Sequence, residues 1–268
     1  MILKHEFELE LALAIAAVQE ACLVVMDHYD SDRVEYTNKM ASKSPVTQAD
    51  LDANRMICNR LEKSFNYPVL SEENKDNLSR LSANTIWILD PLDGTKEYIA
   101  KNGEFSINLA LVENGYPVLG VIAHPIKNRI YYASKNQGAF IRCNKKNTRI
   151  HVRNNTTLNN LTVAVSRSHM DACVTSAIDR MDNCQQISMG SALKYCAVAE
   201  GGIDATIRKT PLHEWDIAAA DCIVREAGGV ITHFSGASLL YNKEKTLIDE
   251  GIIVSNPCLH TQLLSLFL

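Results

Sequence analysis

Hydrophobic positions recur at helical spacing from residue 6 to 29, where Leu9, Leu13, Ala16, Ala17 and Val24 fall near one face. A second helix is predicted in "SKSPVTQADLDANRMICNRLEKSF". Thr47 is placed to cap it, and Asp50, three residues on, completes a capping-box pattern. "YPVLSEEN" (67–74) reads as a short strand entering an acidic loop, and "TIWILD" as the next strand. From 105 to 143 the period shortens to strands, "FSINLALV", "PVLGVIAHP", "RIYYAS" and "AFIRC", separated by "ENGY", "IKN" and "KNQG". This pattern predicts an antiparallel meander.

After residue 155 strands and helices alternate. Strands are expected in "LTVAVSRS", "QQISMG", "DATIR", "VITHF" and "GIIVSN", and helices near 171–181 and in "SALKYCAVAEGG", "WDIAAADCIVREAGG" and "PCLHTQLLSLF". Alternation of this kind implies an α/β half. The expected organisation is an α+β half over 1–153 and an α/β half over 154–268, with a cleft between them. No Pro-, Gly- or Ser-rich linker interrupts the chain, so the halves should pack as one rigid unit.

Composition narrows the class. The chain has 268 residues, 46% hydrophobic and 22% charged, with a net charge of -4, as in ordinary globular proteins. No basic stripe suggests nucleic acid; the most basic stretch, "RCNKKNTR" (142–149), reads as a solvated connection between strands. The eight cysteines form no C-x-x-C pair and no zinc spacing. Unpaired thiols fit a reducing compartment, the cytosol, and leave open a peripheral place at the inner face of the membrane. Glu6, Glu8 and Glu10 spoil a signal-peptide reading of the N-terminus. No window is expected to supply the roughly 20 nearly uninterrupted apolar residues of a membrane span.

The chemistry concentrates in "WILDPLDGTKEYI" (87–99), where Asp90 and Asp93 flank "PL" in what reads as a turn, with Gly94 supplying an unusual backbone conformation. Two carboxylates so close disfavour joint ionisation. A hard, oxygen-seeking cation such as Mg²⁺ resolves the repulsion, with the Leu92 carbonyl available between them. The simpler alternative is an Asx-turn with one solvated carboxylate. Glu72 and Glu73 in "LSEEN" and Asp216 in "HEWDIAAAD" add acids, each with an ordinary reading of its own: a solvated loop for the glutamates and helix capping for Asp216. His213 beside Glu214 has no second histidine at helical spacing, so a zinc motif is rejected.

"DPLDGT", "SEE" and "WDIAAADCIVREAGG" resemble the inositol monophosphatase superfamily of Mg²⁺-dependent, lithium-sensitive phosphatases. The likeness spans essentially the whole chain and implies a layered αβαβα sandwich. "DGTKEYI" followed by "NGEFSINLALV", together with "KSPVTQAD", "SRSH" and "GSALKYCAVAEG", is similar to the CysQ group of 3'(2'),5'-bisphosphate nucleotidases. Ala192 stands where a second serine is frequent, and "IRKTPLHEWD" is a shortened version of its segment.

The resemblance implies that Glu72, Asp90, the Leu92 carbonyl, Asp93 and Asp216 hold two or three Mg²⁺ ions, with Glu73 a looser candidate. Thr95, Asp50 and Glu72 would orient or deprotonate the attacking water; a capping box is the other use of Asp50. Gly94, Thr95, Arg167, His169, Ser191, Lys194, Arg208 and Asp216 would contact the substrate. The implied partner is a small nucleotide, adenosine 3',5'-bisphosphate, with its phosphosulfate relative as a further substrate. The alternatives are an inositol monophosphatase or broader sugar phosphatase, and a catalytically dead metal- or nucleotide-sensing protein. Monomer and homodimer are both compatible with the sequence.

Overall fold

The computed structural model describes residues 6–31, 35–39, 45–165 and 171–267. Its first half runs α1 (Glu8–Tyr29), β1 (Tyr36–Asn38), β2 (Pro45–Thr47), α2 (Gln48–Ser64), β3 (Val69–Ser71), β4 (Thr85–Asp93), α3 (Thr95–Ile99), β5 (Ser106–Glu113), β6 (Tyr116–His124), β7 (Arg129–Ser134), β8 (Gly138–Cys143) and β9 (Lys146–Ile150). Strands β3 to β9 form a seven-stranded sheet in chain order, antiparallel except for the β3–β4 pair. The predicted meander is present. "RCNKKNTR", however, is no mere connection: it is the β8–β9 hairpin, and β9 is an edge strand whose first four residues are exposed. Its lack of apolar alternation hid it, because an edge strand needs no second buried face.

The second half runs β10 (Thr162–Val165), α4 (Ala172–Ile178), β11 (Gln185–Ser188), α5 (Leu193–Ala199), β12 (Ala205–Arg208), β13 (Leu212–His213), α6 (Glu214–Glu226), β14 (Val230–His233), β15 (Leu247–Ile248), β16 (Ile252–Ser255) and α7 (Pro257–Leu264). Its five-stranded sheet has the order β11-β10-β12-β16-β14. Strands β11, β10 and β12 are parallel, and β16 runs antiparallel between β12 and β14.

Alternation along β4 shows how the layers arise. Trp87 and Leu89 enter the cluster formed with α1 and α2, whereas Ile86 and Ile88 face α5 and α6. Both sides of the strand are therefore buried. A further cluster joins the outer face of the second sheet to α4 and α7. The result is the αβαβα sandwich expected from the resemblance, with α5 and α6 as its middle layer.

Two helices set how these layers meet. Helix α6 lies across β4 to β8 on its "IAAA" face, so close that a Cβ at Gly120 of β6 would stand 2.2 Å from the Ala219 carbonyl oxygen. Helix α1 is long and apolar enough to cross a membrane by length and composition, with a mean hydropathy of 2.0, which corrects the expectation that no window would qualify. In the fold its Ala14, Ala17, Val18, Ala21 and Val25 face is buried among α2 and the first sheet. It serves as a core helix.

Candidate metal and phosphate site

Asp90 and Asp93 do not sit in a turn. They lie within β4, where the pairing with β5 slips from Asp90↔Asn108 to Asp93↔Ser106. Three steps on one strand oppose two on the other, so β4 carries one extra residue, a β-bulge. In a regular strand residues i and i+3 point to opposite faces. The bulge restores both carboxylates to one side, and pairing with β5 carries the strand through "DPLD", which is itself poor in strand formers.

Asp90 is buried; its Oδ1 accepts from the Leu92 N–H at 3.1 Å, while its Oδ2 is buried with no hydrogen-bond partner. Burial pushes its carboxyl well above the ordinary carboxylate range, and Glu72, Asp93 and Asp216 push it further. Asp93 Oδ2 accepts from the Ala192 N–H at 2.5 Å, from Asn108 Nδ2 at 3.2 Å and from the Ser106 hydroxyl at 3.4 Å. Asp216 stands in the first turn of α6, where its Oδ2 accepts from the His213 N–H at 2.6 Å. Burial and then Asp93 raise it to about 7. One ligand oxygen from each of Asp90, Asp93 and Asp216 lies within 4.8 Å of the others. The donor set is oxygen only and one buried oxygen is unpartnered, which fits a hard cation.

Glu72 and Glu73 meet Lys39 instead: its ammonium is 2.7 Å from Glu72 Oε1 and 2.6 Å from Glu73 Oε1. Glu72 is still close enough to raise the carboxyls of Asp90, Asp216 and Asp50. Lys39 carried no signal in the sequence, because no periodicity or motif marks a lysine brought in by a three-residue strand.

The Thr95 hydroxyl is 3.3 Å from both Asp50 Oδ1 and the Leu92 carbonyl oxygen. Asp50 also closes the predicted capping box: its Oδ2 accepts from Thr47 N at 2.8 Å and from Thr47 Oγ1 at 2.5 Å. The capping box is thus present, and the other oxygen of the same carboxylate reaches Thr95. Burial raises it to about 7, against the opposing bonds from Thr47.

Gly94 adopts φ 90° at the start of α3, and a Cβ there would stand 3.3 Å from the Cβ of Ser191 and 3.0 Å from the Glu104 carbonyl oxygen. Ser191 is itself left-handed at φ 49°, and Gly190 N–H donates to Glu104 Oε2 at 2.8 Å. Lys194 is buried rather than solvated. Its ammonium donates to the Ser191 carbonyl, lies 4.9 Å from the Tyr195 ring centre, and is lowered by burial to about 8. Arg208 is half-buried, donates to the Thr210 and Pro211 carbonyls at 3.0 Å, and is felt by Asp93 and Asp216. Arg167 and His169 lie outside the described residues.

Sequence reasoning passed over Ser106 and Asn108, which face Asp93. Two buried polar residues within an otherwise apolar strand were the available signal. The start of α6 is anchored by buried Glu214, which accepts from the Asn242 and Lys243 N–H groups at 2.7 and 3.0 Å. Buried Arg80 in turn binds Asn242 Oδ1, the Lys243 carbonyl and Asp76.

Fold and site together define a class: a five-layer α/β sandwich with a cluster of three aspartates, able to hold a cation, where a bulged strand meets a helix N-terminus. A model described as the inositol monophosphatase family matches residues 8–267. The 3'(2'),5'-bisphosphate nucleotidase CysQ of Escherichia coli (strain K12) is 35% identical over 233 residues, 86% of this chain and 93% of that protein. The CysQ of Salmonella typhimurium is 37% identical over 234 residues, with the same coverage of both chains. The crystal structure of CysQ from Bacteroides thetaiotaomicron superposes with a TM-score of 0.81 at 35% identity, covering 93% of this chain and 98% of that one. An inositol monophosphatase structure from Thermotoga maritima gives 0.79 at 31% identity, covering 96% of each chain. The chain belongs to the inositol monophosphatase family.

Proposed function

We propose that the protein is a Mg²⁺-dependent 3'(2'),5'-bisphosphate nucleotidase that hydrolyses the 3'-phosphate of adenosine 3',5'-bisphosphate to give AMP and phosphate, with the phosphosulfate relative as a second substrate. The observation that carries the reading is the convergence of Asp90, Asp93 and Asp216, with Asp90 Oδ2 unpartnered, in a chain 35% identical to CysQ proteins across nearly their whole length. Glu72, Asp90, the Leu92 carbonyl, Asp93 and Asp216 would hold the cations, two or three in number. When bound, Mg²⁺ supplies positive charge for the phosphoryl oxygens and acidity for the attacking water and the leaving oxygen.

The residues around that site account for the proton. Thr95 has one hydroxyl proton and two acceptors within 3.3 Å. With Asp50 ionised, the proton is donated to Asp50 Oδ1, and the Thr95 oxygen is free to accept from a water. As the water attacks phosphorus, its proton passes to Thr95 while the threonine proton passes to Asp50. A carboxyl poised at about 7 suits this relay at neutral pH. Thr47 holds the other Asp50 oxygen in place. Gly94 and Ser191 would form the close floor on which the phosphate sits, and Arg208 would take the phosphate that is not cleaved, a role that the resemblance also gives to Arg167 and His169. Lys194 offsets part of the Asp93 charge. The cysteines in all eight positions are free thiols, which supports a cytoplasmic setting.

Comparing kcat/KM for adenosine 3',5'-bisphosphate, its phosphosulfate relative and inositol 1-phosphate in Mg²⁺ tests the proposal. A preference for the inositol ester overturns the substrate, and absence of Mg²⁺-dependent phosphate release across the panel overturns the enzyme. Inhibition by Li⁺ is expected.

A further inference from the structure

Asp90 is not alone at the site in holding a buried polar atom without a hydrogen-bond partner. The Tyr195 hydroxyl is a second one, on a residue only 1% exposed. An unpaired buried hydroxyl is costly, and in a binding site a ligand-bound state commonly supplies what it lacks. Tyr195 stands on α5, which packs against β12, the strand that ends in Arg208. Burial pushes its hydroxyl above the ordinary tyrosine range; Arg208 opposes that rise most strongly, and Asp216 and Asp93 add to it. The hydroxyl thus lies in the field of one guanidinium and two carboxylates of the site, while the Lys194 ammonium rests 4.9 Å from the ring centre.

We infer that Tyr195 is a positioning residue for Arg208: its hydroxyl accepts from the guanidinium when substrate binds, and so aims the remaining N–H groups at the phosphate that is not cleaved. Tyr195 would then help set the preference for a bisphosphate over a monophosphate. The inference rests on the nucleotidase reading above. Three observations support it. Arg208 has donors to spare, since its Nε bonds the Thr210 carbonyl and its Nη2 the Pro211 carbonyl, both at 3.0 Å, and a guanidinium carries five N–H groups. Those two carbonyls hold one edge of the fork and leave the other to be directed. Secondly, the tyrosine ring is packed in the core between the two sheets and cannot turn its hydroxyl out to solvent, so the acceptor it offers is fixed in place. Thirdly, Arg208 lowers the pKa of Lys194, which lies on the ring of the same tyrosine, so the two cations repel one another. An acceptor oxygen beside Arg208 offsets that repulsion as a phosphate draws the guanidinium in.

The test is steady-state kinetics in Mg²⁺ on adenosine 3',5'-bisphosphate and on adenosine 3'-phosphate, which lacks the uncleaved phosphate. The proteins are full-length wild type, Tyr195→Phe, Arg208→Met and the double variant, with a thermal melt of each in the absence of ligand. Tyr195→Phe should raise KM for the bisphosphate about tenfold, the worth of one hydrogen bond to a charged group, with kcat within about twofold of wild type. The ratio of kcat/KM for the bisphosphate to kcat/KM for the monophosphate should fall by the same factor of about ten. In the Arg208→Met background the phenylalanine should lower that ratio no further, because the two residues act as one. The melting temperature of Tyr195→Phe should not drop, since the change removes an unpaired group. A wild-type ratio in Tyr195→Phe, a further full loss in the double variant, or a melting temperature several degrees lower, which would give the hydroxyl a structural role, overturns the inference and leaves the nucleotidase reading standing. If wild type itself shows no preference for the bisphosphate over the monophosphate, the reading and the inference fall together.

Discussion

Asp93→Asn separates the work of this carboxylate in the fold from its work in the site. In the native protein Oδ2 takes three donors, from Ala192, Asn108 and Ser106, while the cluster partners Asp90 and Asp216 lie within 4.8 Å. An asparagine can leave its carbonyl oxygen toward Ala192 and Asn108, but its NH₂ then points at the other aspartates. Removing the charge relieves repulsion of about 3.5 kcal/mol per ionised neighbour at 4.8 Å and an effective dielectric of 20. Against this stand a weaker Ala192 bond, a loss of roughly 1 kcal/mol, and lost attraction to Lys194. Because burial keeps the neighbours partly protonated near neutral pH, the net gain for the metal-free protein should be about 1–2 kcal/mol, a rise of roughly 2–6 °C in melting temperature. Mg²⁺, which should stabilise wild type, should no longer do so, and phosphate release should drop at least about a hundredfold. Thermal melts by circular dichroism in EDTA and in Mg²⁺ at pH 7.5, with phosphate release from the bisphosphate nucleotide, check all three. A melting temperature several degrees lower in EDTA would refute the reasoning, since it would show that the Ala192 and Asn108 bonds outweigh the repulsion.

The same geometry carries further expectations. Thr95→Ala and Asp50→Asn should each lower kcat about 10²–10⁴-fold with unchanged circular dichroism, and the wild-type kcat/KM in Mg²⁺ should show an acid limb, as Asp50 gains its proton. Retention of that acid limb in Asp50→Asn would assign it elsewhere. Asp50 and Asp216 keep their protons up to about 7 in the fold, against an ordinary 3.8. The folded state therefore binds more protons between those values, and urea melts in EDTA should show stability falling as pH rises from about 4 to 7. Saturating Mg²⁺ should flatten that slope. Arg80→Met strands Asp76 and the Asn242 amide oxygen, and should cost about 3 kcal/mol, measurable as a lower urea midpoint.

Much of this was legible because the relevant signals are local. The short apolar runs in "TIWIL" and "FSINLALV" and the capping box at Thr47 and Asp50 are set by neighbours in the chain, and the structure realises them. The aspartates were recognisable as chemistry, but the bulge that aligns them was not, since it depends on the register between β4 and β5. Lys39 and the burial of Lys194 depend on contacts between residues far apart in sequence, where a lysine in isolation reads as solvated. The hairpin at 142–149 was missed for the opposite reason: a solvated edge leaves no periodic trace. Helix α1 shows the limit of composition, since the same apolar run suits a membrane or a core, and only the packing of Ala14, Val18 and Val25 against the first sheet decides between them.

Gly120 has no functional group and belongs to a strand that contributes nothing to the acidic cluster. Yet it is the point where β6 and α6 touch backbone to backbone, and α6 carries Asp216 while the same sheet carries Asp90 and Asp93. The spacing of the cluster is therefore calibrated by the absence of a methyl group in the interior. Even an alanine there would lever the helix outward, and the lesion would be read at the bench as a defect in ion affinity, with every residue of the cluster intact.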